Sequence, residues 1–198
     1  MIMMYLLIAA FAYLLGSIPF GLVLTRMAGL GDIRAIGSGN IGATNVLRTG
    51  KKGLAAATLL LDGGKGWLAV VWIEGYGHGG VALAALAVFL GHLFPFWLRF
   101  KGGKGVATGF GIFFAFAWPL GAICCAAWLL TAVIFRFSSL AALVAYALAP
   151  VLAYVLTGSL KNVVLALLIA ALVYWKHRAN IARLLKGEEP RIGKKTAV

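Results

Sequence analysis

The amino-acid sequence predicts an all-α, polytopic membrane protein with about seven transmembrane helices, some of them short. Hydrophobic residues make up 63% of the 198 residues and charged residues only 12%, which is more apolar surface than a globular fold can hide from water. Apolar runs of about 20 residues, the length that a helix needs to cross the hydrocarbon, recur along the chain. Lysine and arginine outnumber aspartate and glutamate 18 to 5, and they gather at the ends of these runs, as in loops that stay in the cytoplasm.

Six apolar runs delimit the predicted spans. The first run bends at Gly16, Ser17 and Pro19, because glycine and proline interrupt helices. The fourth run has to hold two spans, which brings the count to seven. In chain order, the runs are 3–24, 53–73, 81–98, 105–135, 138–156 and a last one that starts at 162.

The fourth run contains 31 residues without a charge, and basic residues, Lys104 and Arg136, flank both of its ends. A single crossing would place these two cations on opposite sides of the bilayer. The Trp118-Pro119 pair and Gly121 predict a turn near the middle. We therefore expect a hairpin of two helices of about 15 residues each, on the order of 22 Å long.

The last run predicts a helix that continues beyond Trp175 as an amphipathic stalk to Lys186, where Gly187 supplies the stop. With seven crossings and the basic loops inside, the N-terminus lies outside and the C-terminus in the cytoplasm. We expect a single integral-membrane domain over residues 1–198. No basic segment precedes the first apolar run, so a removable signal peptide is not expected.

The distribution of the charges and cysteines excludes several classes of partner. The cations form no basic stripe along a soluble face, so nucleic acid is not an expected partner. Cys124 and Cys125 are adjacent in an apolar run, which gives neither a disulfide framework nor a metal-ligand spacing. We expect no metal ion and no cofactor.

The segment KGGKGVATG (101–109) has the features of a phosphate-binding loop. Glycines let backbone amides approach an anion closely, lysines add charge, and the helix that begins at Val106 has a positive N-terminal dipole. The Gly-Lys-Ser/Thr ending of a nucleotide-hydrolysing P-loop is missing. A basic cytoplasmic loop whose glycines only turn the chain is the alternative. The candidate residues are Lys101, Gly102, Gly103, Lys104, Gly105 and Thr108.

The segment GSGNIGATN (37–45) contains a formal G-x-G-x-x-G. No strand precedes it, and Asp62, at the distance of the ribose-binding acid, falls inside a predicted span, so a dinucleotide fold is rejected. Its neutral hydrogen-bonding groups suit hydroxyls and phosphate oxygens. A loop in which asparagine and glycine only adopt positive φ is the alternative. The candidates are Ser38, Asn40, Gly42, Thr44, Asn45 and the following Arg48.

The segment HRANIARLLKGEE (177–189) is the third candidate. Helical spacing places His177 and Asn180 on one face with Arg183 at its edge, although a histidine near the interface can be only an amphipathic anchor. Within the second run, Asp62 and Lys65 predict an i,i+3 ion pair, either functional or simply self-neutralising. We expect His92 to pack.

These segments make the sequence similar to the bacterial acyl-phosphate:glycerol-3-phosphate acyltransferases, the PlsY family. The resemblance runs from GSIPFG in the first run, through GSGNIGATN with Arg48 and LDGGKG, to KGGKGVAT and HRANIARLLKGEE. The family's third motif falls on His177, Asn180, Arg183, Leu184, Gly187 and Glu189.

The resemblance implies that a fatty acyl group passes from acyl phosphate to the 1-hydroxyl of glycerol 3-phosphate, giving lysophosphatidic acid and inorganic phosphate. This is the first acylation of bacterial phospholipid synthesis. It also implies a place in the bacterial inner membrane among membrane lipids, a site at the cytoplasmic face, and a functional link to the enzyme that supplies acyl phosphate.

The implied reaction leaves three possible acceptors for the proton of the attacking hydroxyl. The His-x-x-x-x-Asp pair of acyltransferases with soluble donors is absent. Acyl phosphate has a good leaving group, so positioning and charge balance carry most of the catalysis. The proton can go to a substrate phosphate oxygen, whose second pKa is about 6, or to His177 as general base, or Asn180 can accept from the hydroxyl. We expect a phosphate to be held by Lys104, Thr108 and the amides of Gly102, Gly103 and Gly105. We expect glycerol 3-phosphate to be held by Ser38, Asn45, Arg48 and His177. Asn180 is expected to orient the attacking hydroxyl.

A transporter or exchanger of phosphate esters is the rival interpretation. Such a protein presents the N-termini of broken helices to an anion near the bilayer midplane, with access from both sides. Here the three segments fall on one predicted face, and the predicted spans show no paired halves.

Overall fold

The computed structural model describes residues 1–193, which form helices and turns without any strand. The all-α class is therefore confirmed for this part of the chain. The helices fall into two compact units, Met1–Ala115 and a second unit that starts at Phe116. The first unit contains α1 (Ile2–Gly16), α2 (Phe20–Met27), α3 (Ala43–Leu47), α4 (Lys52–Val71), α5 (Gly77–Leu93) and all but the last residue of α6 (Val106–Phe116). The second unit contains α7 (Trp118–Phe135), α8 (Ser138–Thr157), α9 (Leu160–Lys176) and α10 (Arg178–Leu185).

Helix lengths and composition identify an integral membrane protein. Three helical stretches are long and apolar enough to cross a bilayer, and up to five if each bent helix pair is one span. Helix α6 has only 11 residues, about 16 Å at 1.5 Å per residue, which is about half the hydrocarbon thickness. The count of seven crossings stays a prediction. The three stretches are Lys52–Leu98, Trp118–Phe135 and Ser138–Thr157.

The predicted kink in the first apolar run is confirmed. Helices α1 and α2 meet at an angle of 41°, and Pro19, which has no N–H to continue the helix, is the N-cap of α2. The hydroxyl of Ser17 donates to the carbonyl of Tyr13 at 2.7 Å, so it satisfies one of the carbonyls at the end of α1.

The predicted turn in the run 105–135 is misplaced. The helices separate at Ala117, which is extended with φ −159° and ψ 113°. They are therefore 11 and 18 residues long instead of about 15 each. Pro119 lies in the first turn of α7, where the missing N–H has no helical partner to lose. The Trp118-Pro119 pair starts a helix here, and Gly121 lies inside it.

The predicted continuous stalk is also wrong. Helix α9 ends at Lys176, and α10 leaves it at an angle of 61°. At the bend, the N–H of His177 donates to the carbonyls of Val173 and Tyr174, and its ring Nδ1 lies 2.8 Å from the Val173 carbonyl. These bonds close α9, so His177 lies between the two helices and not on one face of a continuous one.

The predicted stop at Gly187 is confirmed. Gly187 has a φ of +74°, the left-handed conformation that glycine adopts at low cost. Its N–H donates to the carbonyl of Leu184 at 3.2 Å, and the N–H of Glu188 donates to that of Arg183 at 2.8 Å. This pair of bonds is the Schellman motif, and it turns the chain so that Glu189 follows.

Small residues allow close helix contacts in both units. A Cβ at Gly66 of α4 would fall on the carbonyl of Thr108 in α6, and one at Gly111 would fall on that of Gly63. Such contacts are typical of helices in membranes. They hold α6 against α4. In the second unit, α8 lies between α7 and α9, and its buried face is rich in alanine, at positions Ala141, Ala142, Ala145, Ala149 and Ala153.

Candidate active site

One buried amide, that of Asn45, holds the loop of residues 37–45 in shape. Its Oδ1 accepts from the backbone N–H of Ser38 at 3.1 Å and from the Ser38 hydroxyl at 3.3 Å. Its Nδ2 donates to the carbonyls of Ile33, Asn40 and Ile36 at 2.7, 2.8 and 3.2 Å. The side chain is buried, with 2% of Asn45 exposed. These bonds occupy its donors and acceptors, so Asn45 shapes the loop instead of offering a polar atom to a ligand.

The cation beside this loop is Arg48, which is half-buried. A Cβ at Gly37 would lie 2.5 Å from Arg48 Nη1, so glycine makes room for the guanidinium. Arg26 and Arg34 are engaged by Asp32, at 3.3 and 2.5 Å, and the hydrogen bond from Arg34 is the main reason that the pKa of Asp32 lies well below its usual value. Within residues 1–193, the Arg48 side chain has no such acidic partner. Ser38 is exposed, and Asn40, Gly42 and Thr44 are partly buried along the loop.

The loop of residues 101–105 is held by backbone hydrogen bonds to the end of α5. The N–H of Gly102 donates to the carbonyl of Leu93 at 3.2 Å, and the N–H of Gly103 donates to that of His92 at 3.0 Å. The last carbonyls of a helix have no partner within it, and these two amides supply one. The expectation that the amides of Gly102 and Gly103 hold a phosphate is therefore corrected, because both are already used.

The glycines of this loop are required by close packing on α5. A Cβ at Gly102 would fall on the His92 carbonyl, and a Cβ at Gly103 would fall on His92 Nε2. A Cβ at Gly105 would lie 2.5 Å from the Phe89 ring. The glycines thus bring the loop down onto α5 and place the start of α6.

The N-terminus of α6 remains as the candidate anion-binding feature of this loop. The carbonyl of Gly105 accepts from the N–H of Gly109 at 2.7 Å, so the helix begins there. The amides of its first turn, including those of Ala107 and Thr108, have no partner within the helix and lie at the positive end of its dipole. Lys104 is half-buried next to this turn, and Lys101 is exposed. Thr108 is fully buried, and its Oγ1 has no hydrogen-bond partner among the described residues. This combination suits a phosphate.

A buried cluster of charged side chains lies beneath the same loop. Lys65 Nζ is 2.7 Å from Asp62 Oδ1, which confirms the i,i+3 ion pair. His92 is buried as expected, but its Nδ1 also lies 3.6 Å from Asp62 Oδ1. Sequence reasoning missed this contact, because 30 residues separate Asp62 from His92 and no local pattern relates them.

In the second unit, the carboxylate of Glu189 organises the third segment. Its Oε1 accepts from the Ser139 hydroxyl at 2.6 Å and from Asn180 Nδ2 at 2.7 Å, and its Oε2 accepts from Arg183 Nε at 2.8 Å. Burial raises the pKa of Glu189, but the hydrogen bonds from Ser139, Asn180 and Arg183 outweigh it, and the pKa lies below its usual value. An ionised carboxylate only accepts hydrogen bonds, so Glu189 fixes which side of the Asn180 amide carries the nitrogen. Ser139, fifty residues away in the chain, was not a sequence candidate, and no local signal pointed to it.

His177 and Asn180 are both buried at the start of α10, each 3% exposed. A backbone carbonyl can only accept, so the 2.8 Å contact with Val173 places the proton of neutral His177 on Nδ1. Nε2 is then the basic nitrogen. Because Asn180 Nδ2 points to Glu189, its Oδ1 is the acceptor end on the other side. In residues 1–193, no three His, Cys, Asp or Glu side chains are grouped so that they could hold a metal ion.

Helices long and apolar enough to cross a bilayer define the class, an integral membrane protein. The N-terminus of α6, the adjacent lysines and Arg48, which has no acidic partner among residues 1–193, are suited to an anion. The chain matches the family described as glycerol-3-phosphate acyltransferase over residues 6–187, and it belongs to that family.

Relatives and solved structures agree with this family. A glycerol-3-phosphate acyltransferase of Paramagnetospirillum magneticum is 59% identical over 185 residues, 92% of this chain and 91% of that protein. One of Ruegeria pomeroyi is 55% identical over 196 residues, 98% of this chain and 96% of that protein. A crystal structure of PlsY (YgiH), an integral membrane glycerol 3-phosphate acyltransferase in its glycerol 3-phosphate form, has a TM-score of 0.90 and 38% identity and covers 96% of both chains. The lysophosphatidic acid form has a TM-score of 0.88 and 37% identity, with 96% of this chain and 95% of that chain covered.

Proposed function

We propose that this protein transfers a fatty acyl group from acyl phosphate to the 1-hydroxyl of glycerol 3-phosphate, releasing lysophosphatidic acid and inorganic phosphate. This is the first acylation of bacterial phospholipid synthesis, and an enzyme that makes acyl phosphate is its functional partner. Family membership over residues 6–187 carries the proposal. The related structure, described as a glycerol 3-phosphate form, supports the choice of acceptor.

In the first unit, the first turn of α6 and Lys104 hold a phosphate, with Thr108 and Lys101 contributing from either side. This replaces the role first given to the amides of Gly102 and Gly103. Arg48 and Ser38 bind the phosphate and hydroxyls of glycerol 3-phosphate, and Asn45 acts indirectly by holding their loop. Amides and cations that are already in place stabilise negative charge without reorganising during the reaction.

In the second unit, the Oδ1 of Asn180 accepts from the attacking hydroxyl of glycerol 3-phosphate. Its fixed contact with Glu189 supports this role, because it holds the acceptor end in one orientation. His177 binds glycerol 3-phosphate, and Arg183 and Glu189 hold the segment together. That all three segments act on the same pair of substrates, within one domain of residues 1–198, stays a prediction of the sequence.

Only one proton in this reaction needs a base, the proton of the attacking hydroxyl of glycerol 3-phosphate. As the hydroxyl oxygen attacks the acyl carbon, the bond from this carbon to the phosphate oxygen breaks, and inorganic phosphate takes the bonding electrons. A substrate phosphate with a second pKa of about 6 accepts the hydroxyl proton at neutral pH. His177 is the competing base, and the proton on Nδ1 gives it a basic Nε2.

The proposed topology has seven crossings, with the N-terminus outside and the site at the cytoplasmic face of the inner membrane. Lys104 and Arg136 support α6 as a short crossing, since two crossings between them keep both cations on one side. Cysteines placed at positions 101 and 136 of a cysteine-free protein should both react with a membrane-impermeant thiol reagent in inside-out vesicles only. Labelling of the two positions from opposite sides would contradict this topology.

The central experiment is an assay of purified protein in detergent. Inorganic phosphate should be released only when acyl phosphate and glycerol 3-phosphate are both present, and EDTA should not reduce the rate. No release, together with counterflow of labelled glycerol 3-phosphate in vesicles, would identify a transporter instead. Loss of activity in EDTA that Mg²⁺ restores would show that a metal ion takes part.

A further inference from the structure

Asp62, Lys65 and His92 have no assigned role, although their side chains are only 3%, 1% and 5% exposed. Ionisable side chains within membrane helices are costly to bury and are commonly functional. A buried ion pair contributes little net stability over apolar residues of the same size. A structural pair alone therefore does not explain why α4 carries these two charges in its buried face.

The cluster connects the break in the first span to α4. Lys65 Nζ donates to the carbonyl of Ile18 at 2.7 Å while it pairs with Asp62. Ile18 lies between α1 and α2, just before Pro19. Lys65 thus has one bond to the break and one to Asp62.

At its other end, the cluster meets the loop of residues 101–105. The imidazole of His92 lies between Asp62, at 3.6 Å from Nδ1, and Gly103, where a Cβ would lie 2.1 Å from Nε2. The carbonyl of the same histidine accepts from the N–H of Gly103 at 3.0 Å. One residue therefore contacts the loop through both its ring and its backbone, and Asp62 faces the opposite edge of that ring.

We propose that Asp62, Lys65 and His92 form a positioning cluster. The cluster fixes the position of the 101–105 loop on α5 and thereby orients the first turn of α6 toward the substrate phosphate. These are positioning residues, since they act through the loop. The inference rests on the proposed acyl transfer. It predicts an effect on phosphate binding, whereas a pair that only neutralises itself would affect stability alone.

The test compares the KM for each substrate, kcat and the melting temperature of purified variants. Asp62→Asn and His92→Phe should each raise the KM for at least one substrate about fivefold or more, with kcat within about threefold of wild type. His92→Phe keeps a ring under Gly103 but loses the nitrogen that faces Asp62. The double variant should be no worse than the more severe single variant, because both changes break the same connection.

Asp62→Asn leaves Lys65 without its counter-charge and can prevent folding. If Asp62→Asn does not fold, the variant to test is Asp62→Asn/Lys65→Met, which removes both charges together. It leaves no buried charge without a partner, so it should fold even where Asp62→Asn does not, and it should keep the raised KM. Thr58→Val is the matched control: Thr58 is buried one turn earlier on α4, and among the described residues its hydroxyl bonds only to Leu54 of the same helix, at 2.7 Å. It should leave both KM values unchanged.

The shift in melting temperature caused by inorganic phosphate is a second measurement, and it does not require turnover. A ligand that binds the folded state raises its melting temperature according to its affinity, so the shift should be smaller in the cluster variants than in wild type and Thr58→Val. Wild-type KM values and phosphate shifts in Asp62→Asn/Lys65→Met would overturn the positioning role, as would single-variant effects that multiply in the double variant. Failure of the wild type to release phosphate from its two substrates would instead refute the proposed function.

Discussion

The two glycine-rich loops of the first unit look alike in sequence but are held in different ways. The loop of residues 37–45 is built around a side chain, the buried amide of Asn45, which bonds to four residues of the surrounding chain. The loop of residues 101–105 is built around the backbone, since Gly102 and Gly103 bond to the last carbonyls of α5. Glycine leaves space for Arg48 in the first loop and lets the chain lie against His92 in the second.

This difference shows that a glycine-rich, basic segment does not by itself identify which amides meet an anion. In the 101–105 loop, the amides of Gly102 and Gly103 look available from the sequence but are already bonded to α5. The amides that remain for an anion are those of the first turn of α6. The segment after α9 resembles the 37–45 loop, because a single side chain, Glu189, holds Ser139, Asn180 and Arg183. Substitutions in the 37–45 loop and in the segment after α9 should therefore act through lost hydrogen bonds. Those in the 101–105 loop should act through steric overlap.

The largest effect is expected at Asn45. Asn45→Asp keeps the shape of the side chain but points a carboxylate at the carbonyls of Ile33, Ile36 and Asn40, which then lose their donor. We expect kcat/KM to fall about 100- to 1,000-fold, with a lower melting temperature. Thr49→Val is the control, because within residues 1–193 the Thr49 hydroxyl bonds only to Val46 and Lys51 of its own turn. Wild-type activity in Asn45→Asp would show that the loop does not depend on this amide.

The second-largest effect is expected at Gly103, where the 101–105 loop lies against the His92 ring. Gly103→Ala places a methyl group on the His92 ring, so the loop has to lift, and kcat/KM should fall about 30- to 100-fold. Gly64→Ala is matched to it, because a Cβ there meets nothing within 4 Å and alanine favours the helix. An equal loss in both variants, or none in either, would mean that contact with His92 does not place the loop.

A smaller effect separates binding from proton transfer in the second unit. With a substrate phosphate as the base, His177→Asn should raise the KM for glycerol 3-phosphate about tenfold and lower kcat less than tenfold. Kinetics over a range of glycerol 3-phosphate concentrations separate the two parameters. A fall in kcat of about 1,000-fold at unchanged affinity would assign the proton transfer to His177 instead.

The smallest effect concerns pH and Glu189. Since hydrogen bonds lower the pKa of this carboxyl below its ordinary value of 4.5 in the folded protein, its contribution to stability is present above that value. The contribution is lost as pH falls through the folded-state pKa. Melting curves between neutral and acid pH should show this loss in wild type and a weaker pH dependence in Glu189→Gln, a difference of about 2–4 °C. The exposed neighbour substitution Glu188→Gln should follow wild type, and identical curves for all three proteins would contradict the prediction.

The sequence predicts what depends on near neighbours in the chain. Apolar length located the helices, Pro19 located the break in the first span, the spacing of Asp62 and Lys65 gave the ion pair, and Gly187 gave the helix stop. These features follow from local backbone chemistry and helical periodicity.

What the sequence does not predict depends on distant contacts. The bonds of Gly102 and Gly103 depend on where α5 ends, and the bend at His177 depends on bonds that close α9. The contact of Ser139 with Glu189 joins residues that only tertiary structure brings together. The Trp118-Pro119 pair was misread because proline is found both at turns and in the first turn of a helix.

The bond from Lys65 to the carbonyl of Ile18 spans 47 residues and has a consequence for biogenesis. During synthesis, α1 and α2 leave the ribosome well before α4, so the interrupted backbone between them first meets lipid without this donor. Until then, the Ile18 carbonyl accepts, among the described residues, only from the N–H of Phe20, at 3.2 Å, and unused hydrogen-bonding capacity is disfavoured in hydrocarbon. We therefore expect the first hydrophobic segment to reach its final bent form only after α4 has entered the membrane beside it.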